Sequence, residues 1–390
     1  MEYFIIIIIL SCITFASSIY ESSTLNITHQ AKNSLFSVLY LLTILFIALG
    51  LGLRGNMDEY SIFYLYVPTV VDFISNFEIY GNNERYNGVI TKGNQIAYDK
   101  GFIFTLIVSV LKSLNLSSQS ILIFFSSTSV LIHGYYFKKY TPYVFLALLF
   151  YLSHEIVGKE WISIRQALVS AFVLPLIYYV INKKKLKFYF LLIISALIQY
   201  LSILSIFLIF FNKRYSLKFI LILFILAFLI HFTDIIRLII LNENVFNYLP
   251  MYISNYLIDD VHGRPISIFQ LKLFQQLVLI SILLLNYKKF NQLSYELKYF
   301  NILFNTYIFG TLLMIIFSTF SIFAYRFNGH FYAVEPILLT YLLWYFRPKY
   351  LIIIGIILLS IVFAYINYVY MEKITSYEFL IRINSLYLIK

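Results

Sequence analysis

Residues 154–167 form a polar island between two apolar runs and read His154-Glu155-Ile156-Val157-Gly158-Lys159-Glu160-Trp161-Ile162-Ser163-Ile164-Arg165-Gln166-Ala167. The second run continues to Ile181, so Arg165 opens an apolar helix as its first-turn charge. Holding an arginine at the centre of a bilayer costs about 2.5–3.5 kcal/mol on insertion scales. At the mouth of a helix, the same residue indicates either a cation directed into a wet cavity or an anchor that reaches the interface. We therefore predict that the polar island lies at the membrane–water interface.

The composition of the whole chain supports this interpretation. Of its 390 residues, 61% are hydrophobic and only 12% are charged, whereas soluble domains carry about 25% charged residues. Apolar runs recur from end to end, and about 20 apolar residues span a bilayer as helix. No linker divides the chain. We predict an all-α, polytopic membrane protein with about 10–12 transmembrane helices and one domain over residues 1–390.

The predicted spans follow the apolar runs. They lie near residues 3–19, 35–53, 118–135, 143–158, 166–182, 217–232, 271–287, 299–319, 332–346 and 349–368. Basic loops face the cytoplasm, and the lysine-rich loops are 138–139, 183–187, 213–218, 288–289 and 347–349. This orientation predicts outer segments at 54–117, 233–270 and 320–331. The first of these contains Phe102 to Leu114, predicted as a short helix on the membrane surface.

Residues 188–211 lie between two basic loops, so they are expected to enter and leave the membrane on the same side. Twenty-four residues are too few for two full spans. We therefore predict a broken or re-entrant pair of half-helices that turns near Gln199-Tyr200-Leu201-Ser202, because broken helices occur where protein or a cavity surrounds them. The alternative is that 212–218 is an exception to the charge rule.

Several function classes are excluded or disfavoured by the residues. The net charge of +11 comes largely from short loops between spans, which is a topology signal and not a nucleic-acid footprint. The single cysteine, Cys12, excludes intramolecular disulfides and cysteine-based metal sites. The run Asp259-Asp260-Val261-His262-Gly263-Arg264 has metal-ligand types, but its adjacent carboxylates fix no geometry. We predict no metal, no cofactor and no nucleic acid.

Arginine is distributed differently from lysine. Two of the nine arginines, Arg214 and Arg347, fall in inner loops, and the other seven fall on the outer side: Arg54, Arg85, Arg165, Arg237, Arg264, Arg326 and Arg382. The planar guanidinium suits bidentate binding of phosphate. An outer cavity for a lipid-linked phosphate or diphosphate would explain the asymmetry. Binding to anionic head groups, or plain solvated loops, is the alternative.

Arg54, Asp58 and Glu59 emerge together at the outer end of the second span. In the functional interpretation, Arg54 binds a phosphate. Asp58, or Glu59 in its place, is the base that takes the proton of a sugar hydroxyl. A helical ion pair between Arg54 and Asp58 is the structural alternative. Tyr60 and Tyr64 follow, either as an aromatic floor against sugar rings or as an interface belt.

Two further outer segments carry candidate residues. Asp99 stands just before the surface helix, where it caps the helix or binds substrate. The run Phe323-Ala324-Tyr325-Arg326-Phe327-Asn328-Gly329-His330 is predicted as a short loop, with Arg326 as a second phosphate clamp. His154 and Glu155 are predicted as an interface pair at the outer end of a span.

These motifs resemble the EpsG-like branch of the Wzy-type bacterial polysaccharide polymerases, which make O-antigen, capsule or exopolysaccharide. The likeness covers about residues 35–345 and is carried by Gly52-Leu53-Arg54 with Asp58-Glu59-Tyr60, Asp99-Lys100-Gly101-Phe102, Ile164-Arg165-Gln166-Ala167 and Tyr325-Arg326-Phe327. There are departures. Glu59 interrupts an Asp-Tyr pair, Asp99-Lys100 replaces Glu-Pro, and Gln199-Tyr200-Leu201-Ser202 stands where relatives often have His followed by Ser.

The resemblance implies a GT-C-like arrangement of helices and an inverting or retaining glycosyl transfer at the outer face of the bacterial cytoplasmic membrane. A glycan on undecaprenyl diphosphate would be the donor, and the next lipid-linked repeat unit the acceptor. Membrane lipid, a chain-length regulator and a flippase are the implied partners. The expected catalytic residues are Arg165, Asp58 and Arg326. The expected substrate-binding residues are Arg54, Glu59, Tyr60, Tyr64, Asp99, Gln166, Tyr325 and Arg264.

Two other function classes remain open from the sequence. A flippase or transporter of lipid-linked oligosaccharides would use the same arginines without reacting, but it needs a cationic path to both faces. An O-antigen ligase or an acyltransferase needs other acceptor chemistry. An intramembrane histidine is typical of an acyltransferase, whereas His133 and His231 are predicted at span ends.

Overall fold

The computed structural model describes residues 33–52, 67, 69–71, 101–155, 163–246, 257, 263–267, 270–292 and 298–374. Regular structure in these ranges is helical, and they contain no strand. The helices are α1 (Asn33–Gly52), α2 (Phe102–Ser113), α3 (Gln119–Tyr140), α4 (Val144–His154), α5 (Ile164–Ile181), α6 (Lys185–Ile198), a 3-10 helix (Tyr200–Phe207), α7 (Leu208–Phe211), α8 (Leu217–Phe232), α9 (Ile235–Ile240), α10 (Glu243–Phe246), α11 (Leu271–Leu285), α12 (Tyr287–Gln292), α13 (Phe300–Ile316), α14 (Ser321–Phe331), a 3-10 turn (Tyr332–Val334), α15 (Glu335–Tyr345) and α16 (Lys349–Ile374).

The predicted all-α, polytopic membrane architecture is confirmed. In the described ranges, three helices are long and apolar enough to cross a membrane: Gln119–Tyr140, Ile164–Ile181 and Lys349–Asn367. The other apolar helices have 10–17 residues. Several are shorter than the predicted spans: Val144–His154 ends before Glu155, and a 3-10 turn at Tyr332–Val334 precedes Glu335–Tyr345. The predicted first span, 3–19, lies outside the described residues.

The basic loops between the helices meet at one end of the bundle, here called the lysine end (residues 138–143, 178–187, 213–218, 286–292, 298–299 and 345–349). Cations there lie over tyrosine rings. The Lys139 ammonium is 3.4 Å from the centroid of Tyr178, and the Arg214 guanidinium carbon is 5.5 Å from that of Tyr287. Amphipathic side chains of both kinds suit a membrane interface.

The core is formed by helices that are apolar on every side. In α4 every residue from Val144 to Ser153 is buried, and α13 and α15 are buried along most of their length. A helix that is hydrophobic all round needs neighbours on all sides. Helix α1 covers α3 in an antiparallel arrangement, because the Tyr40 hydroxyl donates to the Gly134 carbonyl at 2.9 Å and Ser127 Oγ donates to the Ala48 carbonyl at 3.2 Å.

The predicted pair of half-helices is present. Helix α6 starts at the lysine end and stops at Gln199, whose extended backbone (φ −151°, ψ 116°) turns the chain into the 3-10 helix. The chain then returns to the same end, since Asn305 Nδ2 donates to the carbonyls of Phe211 and Lys213 at 2.8 Å each. Asn305 lies near the start of α13, which also begins at the lysine end.

One glycine fits tightly against this break. Gly101 precedes α2 with φ +97°, and a Cβ there would lie 2.3 Å from the Ile198 carbonyl oxygen, the last residue of α6. Phe102–Ser113 is thus a helix, as predicted, and it packs on α6 and α3. The residue at its N-cap is Gly101. Asp99, predicted either to cap this helix or to bind substrate, lies outside the described residues.

We expect Gly101→Ala to destabilise the protein by about 1–3 kcal/mol or more, since it adds a positive-φ strain to the overlap with Ile198. The matched control is Gly50→Ala, because nothing lies within 4 Å of a Cβ at Gly50 and alanine favours a helix interior by about 1 kcal/mol. The melting temperature of detergent-solubilised protein measures both. Equal melting temperatures for the two variants would contradict the close packing at Gly101.

The structure corrects the predicted outer loop at 320–331. Ser321–Phe331 is a helix with Ala324, Asn328 and Phe331 buried, a spacing that places one face against its neighbours. Arg326, Asn328 and Gly329 lower the hydropathy of this run, so it was not predicted as helix.

Candidate functional site

Polar side chains gather at the end of the bundle opposite the lysine end. They come from the end of α4, the starts of α5 and α11, the 3-10 helix, the middle of α13 and the segment from α14 to α15. We call this group the polar cluster. It consists of His154, Glu155, Arg165, Gln166, Ser205, Gln270, Lys272, Gln275, Gln276, Tyr307, Tyr325, Arg326, Asn328, His330, Tyr332 and Glu335. The membrane does not tolerate such groups facing lipid, so their concentration in one place indicates a functional site.

A glutamine joins the two helices that carry Arg165 and Arg326. Gln166, nearly buried in the first turn of α5, donates from Nε2 to the backbone carbonyl of Arg326 at 3.0 Å. The adjacent Arg165 is half-buried, and its guanidinium carbon lies 5.2 Å from the ring centroid of Phe104 in α2. An aromatic face attracts a guanidinium, so Phe104 helps to position this side chain. The hydrogen bond therefore joins the helix of Arg165 to the helix of Arg326.

Helix α14 is joined to α11 in the same way. Gln276 Nε2 donates to Asn328 Oδ1 at 3.0 Å, and Asn328 Nδ2 donates to Gln276 Oε1 at 3.1 Å. The Tyr325 hydroxyl donates to Gln270 Oε1 at 2.7 Å. The amide pair is fully buried, so its two hydrogen bonds are made away from water. The first turns of α11 are thereby fixed against the turn that carries Arg326.

The 3-10 helix Tyr200–Phe207 and the end of α4 also contact α14 and the turn that follows it. Ser205 Oγ of the 3-10 helix and His330 Nε2 lie 2.7 Å apart, and both residues are buried. The Tyr332 hydroxyl lies 3.4 Å from His154 Nε2. Irregular backbone at membrane depth is tolerated only where protein or a cavity surrounds it, and here it presents polar groups to the cluster.

A carboxylate lies fully buried at the start of α15. Glu335 Oε1 accepts from Gln275 Nε2 at 2.6 Å and from the Tyr307 hydroxyl at 2.8 Å. Glu155 is also buried. Glu335 therefore holds one donor from α11 and one from α13 inside the bundle.

The structure places four of the predicted site residues in the cluster: Arg165, Gln166, Tyr325 and Arg326. Arg264 is exposed beside the start of α14, where its carbonyl accepts from the Ser321 amide at 3.0 Å. The others lie outside the described residues: Arg54, Asp58, Glu59, Tyr60, Tyr64 and Asp99. The same holds for Asp259, Asp260 and His262.

Two predictions about histidines are wrong. His154 and Glu155 are not an interface pair, because Glu155 is 3% exposed and the His154 ring lies 4.0 Å from that of Phe363, centroid to centroid. His133 does not lie at a span end. It is buried within α3 and stacks on Tyr151 with ring centroids 4.3 Å apart. The argument from span-end histidines against an acyltransferase therefore fails for His133.

Sequence reasoning also missed Lys272, Gln275, Gln276, His330 and Glu335. Gln275-Gln276 interrupts an apolar run, and Glu335 begins a helix with Pro336 at its first positions. Each is a polar residue inside a predicted span or beside its start, which is the available signal. Chemically, the cluster offers cations that suit an anionic group, on helices that buried amides and the Glu335 carboxylate join to one another.

The comparisons with known proteins give one family. A family model described as the EpsG family matches residues 37–381, which is most of the chain. No curated protein and no solved structure shows a significant match. The matched range includes every described residue of the polar cluster.

Proposed function

The chain belongs to the EpsG family, and from this membership and the polar cluster we propose that it is a membrane glycosyltransferase of polysaccharide biosynthesis. Its reaction joins undecaprenyl-diphosphate-linked oligosaccharide repeat units into a surface polysaccharide. The proposed site is the outer face of the bacterial cytoplasmic membrane, with the lysine end in the cytoplasm. A chain-length regulator and a flippase are the proposed partner proteins.

The observation that carries this proposal is the hydrogen bond from Gln166 to the Arg326 carbonyl. It holds two arginine-bearing helices together at one end of the bundle, and one of them starts with Ile164-Arg165-Gln166-Ala167. A departing diphosphate develops negative charge as its bond to the sugar breaks. Fixed cations stabilise that charge in the transition state without reorganising, which is commonly the largest catalytic contribution.

The proposed reaction requires no metal, because arginines can neutralise the departing diphosphate. A hydroxyl of the acceptor unit attacks the anomeric carbon of the donor glycan, and the bond from that carbon to the diphosphate oxygen breaks. Undecaprenyl diphosphate leaves on Arg165 and Arg326, with Arg54 as a further donor. The hydroxyl proton passes to Asp58, or to Glu59 in reserve. Tyr60, Tyr64, Asp99, Gln166, Tyr325 and Arg264 are the proposed substrate-binding residues.

The experiment that tests this function is an analysis of the surface glycan and of the lipid-linked intermediates in a deletion strain. We expect long polymer to disappear and single repeat units to accumulate on the lipid at the outer face, because synthesis of the units lies upstream. Units confined to the cytoplasmic face would instead identify a flippase. Long polymer retained on the lipid would identify a ligase. Either result contradicts the proposal.

A further inference from the structure

The lysine end carries positive charge without negative charge beside it. Its described segments contain lysines and arginines but no aspartate or glutamate. Two of the helices that are long enough to cross a membrane, α3 and α5, end there at Tyr140 and Ile181. They pack on each other, since the Tyr140 hydroxyl donates to the Leu174 carbonyl at 2.5 Å. The ends of spanning helices lie at the level of the lipid head groups, so this charge lies in or beside that layer.

Two lysines of this end lie against the same tyrosine ring. The Lys139 ammonium, in the last turn of α3, is 3.4 Å from the ring centroid of Tyr178. The Lys184 ammonium, just before α6, is 5.3 Å from the same centroid. The two ammoniums are therefore no farther apart than the sum of these distances, which is close enough for one phospholipid head group to contact both. We call Lys139 and Lys184 the lysine pair.

The turn between α5 and α6 fixes the position of Lys184. The Lys184 amide donates to the Tyr179 carbonyl at 2.9 Å. The Lys183 amide donates to the Val180 carbonyl at 3.1 Å. These two hydrogen bonds form a common helix ending, in which glycine or asparagine usually occupies the left-handed position. Here Lys183 occupies it, with φ +55°, so the turn is basic even where glycine would be less strained. This hydrogen-bonded turn places Lys184 beside the ring of Tyr178.

The surroundings of the lysine pair are tyrosines and not acids. The Lys139 ammonium also lies 5.7 Å from the ring centroid of Tyr135 and 5.9 Å from that of Tyr136. Neither lysine pairs with a carboxylate in the described part of the chain. An ammonium has three N–H donors, and a neutral ring attracts it but supplies no counter-charge. The pair therefore suits an anion that comes from outside the chain.

We propose that the lysine pair binds the phosphate of an anionic phospholipid in the membrane leaflet at the lysine end. The position favours this occupant, because both lysines lie where spanning helices end and basic groups there attract anionic lipids. The tyrosines favour it as well, since their amphipathic rings suit the head-group level. A bound lipid joins the ends of α3 and α5 to the turn before α6. The inference does not depend on the proposed polymerase reaction.

Binding of phosphatidylglycerol to the purified full chain in a neutral detergent, measured by native mass spectrometry, tests the inference. We expect the parent chain to bind phosphatidylglycerol in preference to phosphatidylcholine. Lys139→Gln combined with Lys184→Gln should weaken binding of the first phosphatidylglycerol about thirtyfold, because each lysine near anionic lipid contributes about fivefold. The matched control combines Lys185→Gln with Lys187→Gln, which removes the same charge from two exposed residues in the first turn of α6. It should bind within a few-fold of the parent chain.

Two variants of Tyr178 test the role of the ring without changing the charge. Tyr178→Leu removes the ring against which both lysines lie and should weaken binding of phosphatidylglycerol, whereas Tyr178→Phe keeps the ring and should bind like the parent chain. Melting temperatures without lipid show whether each variant is folded. If the double lysine variant is not folded, the single change Lys184→Gln at an exposed residue replaces it, with an expected loss of about fivefold.

Four results would overturn the inference. The first is equal binding of the two lipids by the parent chain, and the second is unchanged binding by a folded variant of the lysine pair. The third is an equal loss in the control variant at Lys185 and Lys187, because the attraction then belongs to diffuse charge and not to the pair. Inorganic phosphate is the other source of the same chemistry. If it displaces phosphatidylglycerol at equal concentration, the pair takes free phosphate and the assignment to lipid is wrong.

Discussion

Arg165→Ala is expected to abolish long polymer, with single repeat units left on the lipid. Removing one fixed donor from a developing oxyanion costs about 10²–10³ in turnover, and Arg165 stands in the first turn of α5 beside the residue that binds the Arg326 carbonyl. The measurement is the size distribution of the surface glycan in cells that carry the variant, together with the amount of variant protein in the membrane. That amount should stay normal, because Arg165 is only half-buried.

Two further variants separate catalysis from anchoring. Arg165→Lys keeps the charge and loses the bidentate fork, so it should be poorly active if the arginine binds a diphosphate. A residue that only anchors the helix would tolerate lysine, which reaches the interface equally well. Arg237→Ala is the matched control, because Arg237 is a half-buried arginine on α9, outside the polar cluster. Long polymer in the Arg165→Ala strain would end the catalytic interpretation of this residue.

Glu335→Leu is expected to destabilise the whole bundle. The change removes the oxygen that accepts from both Gln275 and Tyr307, and each buried donor left without an acceptor costs about 1–3 kcal/mol. The contacts join α11, α13 and α15, so their loss affects three helices together. We expect a lower melting temperature in detergent and little protein in the membrane.

Glu335→Gln is the matched control, since glutamine has the same shape and keeps an oxygen for both donors. Its melting temperature should remain close to that of the parent chain. If Glu335→Leu instead melts like Glu335→Gln, the two hydrogen bonds do not contribute to stability and do not anchor α11 and α13 to α15.

Much of the fold could be predicted because apolar runs indicate the membrane helices and basic loops indicate their orientation. The break at Gln199 followed from counting residues between two lysine loops. A search for apolar runs finds the spans but does not find helix α14. A helix packed against other helices around a polar site carries Arg326, Asn328 and Gly329, and a hydropathy pattern treats such residues as loop.

The candidate site was predicted only in part. Arg165, Gln166, Tyr325 and Arg326 stand out because charge beside an apolar run is unusual. Which of them meet depends on packing between helices far apart in sequence, and one sequence contains no record of that packing. Glu335 and Lys272 illustrate this, since each becomes significant only through partners on other helices, such as Tyr307 and Tyr332. The roles of Asp58 and Glu59 stay predictions.

The central claim is that this chain itself polymerises lipid-linked repeat units with the help of Arg165 and Arg326. Its most direct test is to incubate the purified full chain in proteoliposomes with undecaprenyl-diphosphate-linked repeat units as the only sugar source. We predict a ladder of polymer on the lipid and release of undecaprenyl diphosphate in step with it. Proteoliposomes with Arg165→Ala or Arg326→Ala should show neither product. Repeat units that stay single with the folded parent chain, or a ladder that persists in both variants, would contradict the account.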